Sequence, residues 1–437
     1  MIEITTKVKR YDVYKDSGVE WLGEIPEHWE TRRIKYIFNE INERSENGNE
    51  DLLSVSQYTG VTNKSDKVQE GGMLTNALTL EGYKKVTKGD LISNIMLAWN
   101  GSLGFSPFNG ITSPAYSIYR IYGDNDNRYF HYLLRTELYK AEFKRNSSGV
   151  IESRLRLYTD DFFKIESILP PPPEQTKIAQ FLDDKTTKIE DAITIKKQQI
   201  NLLKERKQIL IHKTVTQGLN PNVTLKDSGV EWIGEIPEGW ELKKVKHIAK
   251  VVLGKMLCNE DKGNYSLKPY LKSKNIQWLN VDINSVDKMW FSQKEMNEYR
   301  LEKGDLVLSE GGEVGKTCIW NNELKECYIQ NSAHKVTVYK DNISEFYLNL
   351  FFVFGKAGAF DSIVNRVSIG HLTKDKLMNV VVVKPPLSEQ KEISTYIKSA
   401  SQKIEIAISL KQQEIEKLKE YKSSLINSLV TGKVKVC

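Results

Sequence analysis

Cysteine is scarce, and its placement excludes two classes of protein. Cys258, Cys318, Cys327 and Cys437 are the only four in 437 residues. They form no Cys-x-x-Cys pair, and none stands at a metal-ligand spacing to one of the six histidines. This is neither a disulfide framework nor a zinc-finger pattern, and the thiols read as free in a reducing compartment. Also missing is any long apolar run: residues 1–14 contain no h-region, and the most apolar stretch, 346–360, is interrupted by Asn349, Gly355, Lys356 and Gly358. No signal peptide or membrane span is supported, which points to the cytoplasm. Charge of one sign is lacking too, since 63 basic against 57 acidic residues leave +6. That balance permits an anionic partner without demanding one.

Catalytic signatures are equally thin. The nearest is Gly311-Gly312-Glu313-Val314-Gly315-Lys316-Thr317, which ends like a phosphate-binding loop. The motif requires glycine at 310, where Glu310 stands, and Cys318-Ile319-Trp320-Asn321-Asn322 reads as a strand and turn instead of the helix a phosphate needs. No His-Glu-x-x-His occurs, and isolated histidines such as His131 and His247 read as packed or solvated groups.

What is present is repetition. With 40% hydrophobic residues the chain can bury two or three cores. Residues 15–30 return as 226–241 with changes only at Leu22/Ile233 and His28/Gly239. A second block recurs as Pro170-Pro171-Pro172-Pro173-Glu174-Gln175 and Pro385-Pro386-Leu387-Ser388-Glu389-Gln390. The chain is two tandem halves. Between the blocks, segments 31–169 and 242–384 share landmarks such as Lys88-Gly89-Asp90-Leu91 and Lys303-Gly304-Asp305-Leu306, and little else. Each mixes β-type runs (116–122; 335–339 and 380–383) with a candidate helix (128–143; 345–354), so each is predicted to be an α+β domain.

The Glu-Gln blocks read as helix starts, with prolines fixing the entry and a carboxylate in the positive first turn. Beyond them, apolar residues recur at helical spacing. In the first half these are Ile178, Leu182, Ile189, Ile193, Ile200, Leu203 and Leu210. The second half has Ile393, Ile397, Ile404, Ile408, Ile415, Leu418, Leu425 and Leu429. A helix from 174 to 217 would be roughly 65 Å long with a stripe too narrow for a globular core. One such stripe reads as a surface helix docked on its own domain; two matched copies read as partners. The pairing contacts are expected from Ile189, Ile193, Ile200, Leu203 and Leu210 against Ile404, Ile408, Ile415, Leu418 and Leu425. The predicted architecture is two tandem α+β domains, each followed by a long helix, the helices pairing as an antiparallel coiled coil with pseudo-two-fold symmetry. The expected boundaries are 1–169, 170–219, 220–384 and 385–437.

The Gly-x-x-Trp-x-Gly-x-Ile-Pro-x-x-Trp block, the Pro-Pro-x-x-Glu-Gln helix start and the duplicated layout resemble the specificity subunits of type I restriction-modification systems over nearly the whole chain. The first copy departs from the usual pattern in having Pro172-Pro173 where the second has Leu387-Ser388. The resemblance implies two target-recognition domains, each reading one half of a bipartite, asymmetric double-stranded DNA site. It also implies helices that set the spacer and dock two methyltransferase subunits, with restriction/translocase subunits joining that core. It implies no catalysis and no cofactor in this chain: S-adenosylmethionine, ATP and Mg would be held by the partners. Consistently, the sequence has neither a glycine-rich methyl-donor loop nor an Asn/Asp-Pro-Pro-Tyr/Phe motif. The competing readings are a duplicated coiled-coil scaffold, an orphan specificity protein without a restriction partner, and an independent nuclease or methyltransferase. Divergent interiors on matching frames favour reading of an asymmetric site over a scaffold with equivalent ends.

Base reading needs basic and amide groups on loops or strands, with arginine and asparagine favoured because they contact bases in bidentate fashion. Candidates in the first half are Lys64, Lys67, Lys84, Asn94, Asn100, Ser102, Arg154 and Arg156. In the second half they are Lys272, Lys274, Asn275, Lys316, Asn331, His334, Lys335, Arg366, Ser368 and His371. The stretch just before each long helix is preferred, since a 215-residue offset places Arg156 at His371. Trp21, Trp29, Trp232 and Trp240 belong to the repeated frame and read as core anchors.

Overall fold

The computed structural model describes residues 8–57, 59–67, 77, 79–364 and 370–436. It divides into two compact units: residues 1–196 with 413–437, and residues 197–412.

The first unit is built on a four-stranded antiparallel sheet in the order Leu103–Phe105, Leu91–Asn94, Tyr116–Ile121, Phe38–Ile41. In the second unit the order is Thr317–Ile319, Leu306–Ser309, Ala333–Val338, Ala249–Leu253. Taken in chain order, these are the same strands in the same places. The domains that share so little sequence therefore share a sheet, and differ in what decorates it. The first adds the hairpin Leu53–Ser56 with Gly60–Asn63 and the pair Lys84–Val86 with Gly110–Thr112. The second adds a three-stranded sheet of Ser266–Leu271, Asp287–Phe291 and Tyr328–Ile329.

The shared Lys-Gly-Asp landmark is a turn held by its aspartate. Asp90 accepts from the backbone N–H of Thr87 at 2.9 Å and from Arg120 at 2.8 and 2.9 Å. Asp305 accepts from the N–H of Glu302 at 2.8 Å and from the Thr337 hydroxyl at 2.5 Å. Both aspartates are buried at the start of the second sheet strand, so neither can be lost without leaving a polar group unpaired. The expected helix over 128–143 is two helices, Asn127–Leu133 and Glu137–Arg145. Thr136 causes the break, because its hydroxyl accepts the N–H of Tyr139 and caps a new helix. In the second unit the counterpart is one helix, Ser344–Lys356.

The long helices run over Pro172–Gln217 and Leu387–Val430. Proline is tolerated at the first of these starts because its missing N–H would have had no helical partner. The Glu-Gln pair that follows ties the frame together. Glu174 accepts from the indole N–H of Trp29 at 3.0 Å, and Glu389 from Trp240 at 2.9 Å. Gln175 and Gln390 are 0% exposed. Gln175 donates to the Pro170 carbonyl at 2.8 Å and accepts the N–H of Asp126 at 2.9 Å. Gln390 repeats this with Pro385 at 2.9 Å and Ile343 at 2.9 Å. One side chain thus pins the helix start to the domain helix, which is why the motif is written twice.

Within each unit the helices run antiparallel. Lys196 meets Glu414 at 2.5 Å and Lys422 meets Glu190 at 2.7 Å in the first, and Lys207 meets Glu405 at 2.6 Å in the second. In the first unit the number on one helix falls as the other rises. These exposed pairs set register more than stability. Ile189, Ile193, Ile200, Ile415 and Leu425 are buried, and Leu203, Leu210, Ile404, Ile408 and Leu418 half-buried. The five remaining residues of the two stripes, Ile178, Leu182, Ile393, Ile397 and Leu429, enter the domain cores. The first core also takes Leu425 and Val430, and the second Ile211 and Val215, so each domain rests on the start of one helix and the end of the other. At those ends Gly432 (φ 74°) and Gly218 (φ 78°) close on Trp29 and Trp240. A Cβ at 432 would lie 2.9 Å from the Trp29 ring and 2.4 Å from Pro26.

His131 sits half-buried on Asn127–Leu133, where burial and then Arg135 push its imidazole down to about 4. The unfolded chain then binds a proton that the fold refuses, so stability is complete above about 6.5 and falls as pH drops toward 4. Urea midpoints at pH 7.5 and 4.5 are expected to differ less for His131→Gln than for the parent; an unchanged difference contradicts this.

Candidate nucleic-acid interface

The candidate residues separate into those the fold has consumed and those it presents. Lys84, Asn94, Ser102, Asn275, His334 and Lys335 are buried. Asn275 donates to the carbonyls of Asp282 and Ser285 at 3.0 and 3.2 Å and accepts the N–H of Lys272 at 3.1 Å. His334 holds the Leu372 carbonyl at 2.6 Å through one ring nitrogen, and burial lowers its pKa. Lys335 donates to the carbonyls of Glu298 and Arg300, both at 2.8 Å, and burial lowers its pKa as well. Lys84 is lowered by the same cause, against Glu40. Asn94 accepts the N–H of Met96 at 3.2 Å, and the Ser102 hydroxyl donates to Asn100 at 3.1 Å. These groups shape loops from inside.

On the surface, Lys272 is paired with Asp287, whose hydrogen bond raises the lysine pKa, and Lys274 is exposed beside it. Lys316 reaches Glu313 at 2.8 Å and the side-chain amide oxygen of Gln277 at 3.3 Å. Asn331 accepts from Gln330 and is half-buried. Lys64 is half-buried after the hairpin strand Gly60–Asn63, and Lys67 ends the short turn Ser65–Lys67. His371 is exposed and lies against Gly311. Arg366 and Ser368 lie outside the described residues.

Although scattered in sequence, several of these segments converge. In the second unit Ser273 bonds Ser332 twice, at 3.0 and 2.7 Å. Ser332 in turn receives the N–H of Glu310 at 2.9 Å, and Glu310 the N–H of Leu372 at 2.8 Å. Loops 272–275, 310–316 and 330–332 and the segment at 371 are therefore neighbours at one end of the sheet. The near-miss phosphate loop is part of this group, as the connection between the antiparallel strands Leu306–Ser309 and Thr317–Ile319.

The same junction exists in the first unit, where the N–H of Leu157 meets the carbonyl of Ile95 at 2.8 Å, 215 residues before Leu372 and Glu310. It joins the loop carrying Asn94, Asn100 and Ser102 to the segment carrying Arg154 and Arg156. That segment is a closed loop: Ser148 and Arg156 exchange both backbone hydrogen bonds at 2.9 Å. Arg154 is exposed and Arg156 half-buried. Arg32, Arg33, Arg120, Arg128 and Arg145 of this unit are ion-paired, whereas neither Arg154 nor Arg156 has a side-chain partner among the described residues. Two free guanidinium groups on a fastened loop are a site for an anion or for base edges. Sequence reasoning passed over Lys144, which pairs with Glu152 of this loop and lies over the Trp99 ring at 5.4 Å. It lies in a helix and had no motif to mark it. Among the described residues no cluster of His, Cys, Asp and Glu could hold a metal ion, and no helix is long and apolar enough to cross a membrane.

Comparison with known proteins gives this arrangement its context. The family model of the type I restriction modification DNA specificity domain matches residues 26–205 and again 237–419. The MjaVIII specificity subunit of a type I restriction enzyme from Methanocaldococcus jannaschii is 25% identical over 373 residues, covering 81% of this chain and 83% of that one. The putative MjaX specificity subunit from the same organism is 25% identical over 453 residues, with 95% and 96% covered. Among solved structures, a chain from a study of complex assembly and conformational transition of the type I R-M system superposes with TM-score 0.69 at 14% identity, covering 93% of this chain and 98% of that one. The HsdS subunit from Thermoanaerobacter tengcongensis does so with TM-score 0.59 at 15% identity, covering 94% and 98%. At such identities the structural likeness speaks for the fold, and the family rests on the two matched segments. This chain belongs to the type I restriction-modification DNA specificity family, and carries its specificity domain twice.

Proposed function

We propose that the chain is the noncatalytic, DNA-reading subunit of a type I restriction-modification complex. Each domain reads one half of a bipartite, asymmetric duplex site through the loops gathered at the junctions Leu157–Ile95 and Leu372–Glu310. The observation that carries this reading is one sheet and one junction built twice, with unlike side chains displayed at each. Arg154, Arg156 and Asn100 stand at the first, and Lys274, Lys316, Asn331 and His371 at the second. Equivalent frames with unlike displays are what two unlike half-sites require. The long helices set the number of base pairs between the half-sites and dock two methyltransferase subunits, which restriction subunits then join. Methyl transfer, translocation and cleavage belong to those partners, together with S-adenosylmethionine, ATP and Mg.

The free guanidinium groups give the test. Bound phosphates release counterions, so log affinity falls with log salt by about 0.9 per phosphate neutralised. The complex with its methyltransferase partner is expected to bind duplex DNA with a steep salt slope, and Arg154→Ala with Arg156→Ala to reduce that slope by about 1.8. Binding indifferent to salt, or a slope untouched by the double substitution, contradicts the assigned interface.

A further inference from the structure

One feature of the 148–156 loop is not explained by charge. Val150 is 99% exposed and Ile151 52% exposed, at the tip of the loop that carries the two arginines without a side-chain partner among the described residues. A single exposed aliphatic side chain is ordinary. Here, however, the loop is fastened in the shape that exposes it. The Ser148–Arg156 hydrogen bonds close its base, and the N–H groups of Arg154 and Leu155 bond Ile151 and Glu152 at 2.8 and 3.2 Å. Glu152 is tied to Lys144, and Leu157 is buried in the core just beyond. Gly149 is held so close to the loop's return limb that a Cβ there would lie 2.6 Å from the Arg154 carbonyl oxygen. A loop without a partner has no reason to be stapled with its valine outward, whereas a loop that must enter a groove gains from being preformed.

Duplex DNA offers such a loop one apolar feature at the base edges of the major groove, the C5-methyl group of thymine. The arginines on the loop's return limb supply the charge complementarity. We propose that the 148–156 loop enters the major groove of the half-site read by its domain, with Val150 packed on a thymine methyl group while Arg154 and Arg156 hold the flanking backbone. Val150 is then a specificity-determining residue that selects an A·T pair at one position. The inference rests on the DNA-reading function proposed above and adds a residue and a base to it.

The test uses the full chain in complex with its methyltransferase partner and a duplex carrying the motif methylated in the host. Thymines of the half-site are replaced one at a time by deoxyuridine, which removes the methyl group and leaves base pairing intact. At one position the parent complex is expected to lose about fourfold in affinity, the worth of one buried methyl group. Val150→Ser is expected to bind the thymine and deoxyuridine duplexes equally, with unfolding unchanged because the replaced side chain touches no core. A half-site without an A·T pair, no uracil-sensitive thymine, or equal sensitivity in parent and variant each overturns the proposal. In those cases the complex still prefers its motif to a scrambled duplex, so the DNA-reading function stands; loss of that preference in the parent is the separate result that removes it.

Discussion

Replacing residues 31–169 with the matching segment of a relative that reads a different target is expected to change one half of the methylated sequence completely and leave the other half as it was. The expectation follows from where the cuts fall. Trp29, Glu174 and Gln175 stay in the frame, so the indole–carboxylate bond and the Pro170 contact survive the exchange. The incoming domain must supply for Gln175 what residues 125 and 126 supply now, a side-chain acceptor and a backbone N–H, and an apolar face for Ile178, Leu182, Leu425 and Leu429. The core it joins is separate from the one around Trp240, Phe346 and Phe351. Methylome sequencing of a host carrying the exchange reads the result. If both half-sites changed together, the domains would not be independent readers.

The second large effect is on stability. Trp29 is 0% exposed, with its ring against Tyr11 at 5.8 Å and Gly432 and its N–H on Glu174. Trp29→Ala removes one of the largest buried side chains of the first unit and is expected to cost about 3–5 kcal/mol. Trp29→Phe keeps most of the volume and loses one hydrogen bond to a carboxylate that Tyr11 and His28 still engage, a loss of about 1.5–2 kcal/mol. Hydrogen exchange locates the damage: protection should fall in Phe38–Ile41, Leu91–Asn94 and Tyr116–Ile121. Ala249–Leu253, Leu306–Ser309 and Ala333–Val338 should keep theirs. Equal costs for the two substitutions, or equal loss of protection in both units, contradict this account of the frame.

Much of this architecture is legible in the amino-acid sequence, because duplication turns weak signals into strong ones. A single amphipathic stripe is ambiguous, but two stripes beginning at the same Glu-Gln define a pair of helices. What the residues do not reveal is partnership across distance: nothing local tells Glu174 that its partner is Trp29, 145 positions away. The common sheet is hidden for a different reason. Leu91–Asn94 and Leu306–Ser309 are buried at every position, so the alternation that betrays a half-exposed strand is absent. Polar strand residues mislead in the opposite sense, since Lys84, His334 and Lys335 look in sequence like any exposed cation and are distinguished only by the carbonyls and neighbours around them. Val150 is the converse, a residue whose type suggests a core and whose loop places it outside.

The most direct measurement of the central claim is the methylome of the host with and without this gene. The account predicts one modified motif, bipartite and asymmetric, with two unlike half-sites separated by a fixed gap, present in the parent and absent from the deletion strain. A methylome unchanged by the deletion, or a lost motif that is continuous or symmetric, would contradict a chain that reads two half-sites with two unlike domains.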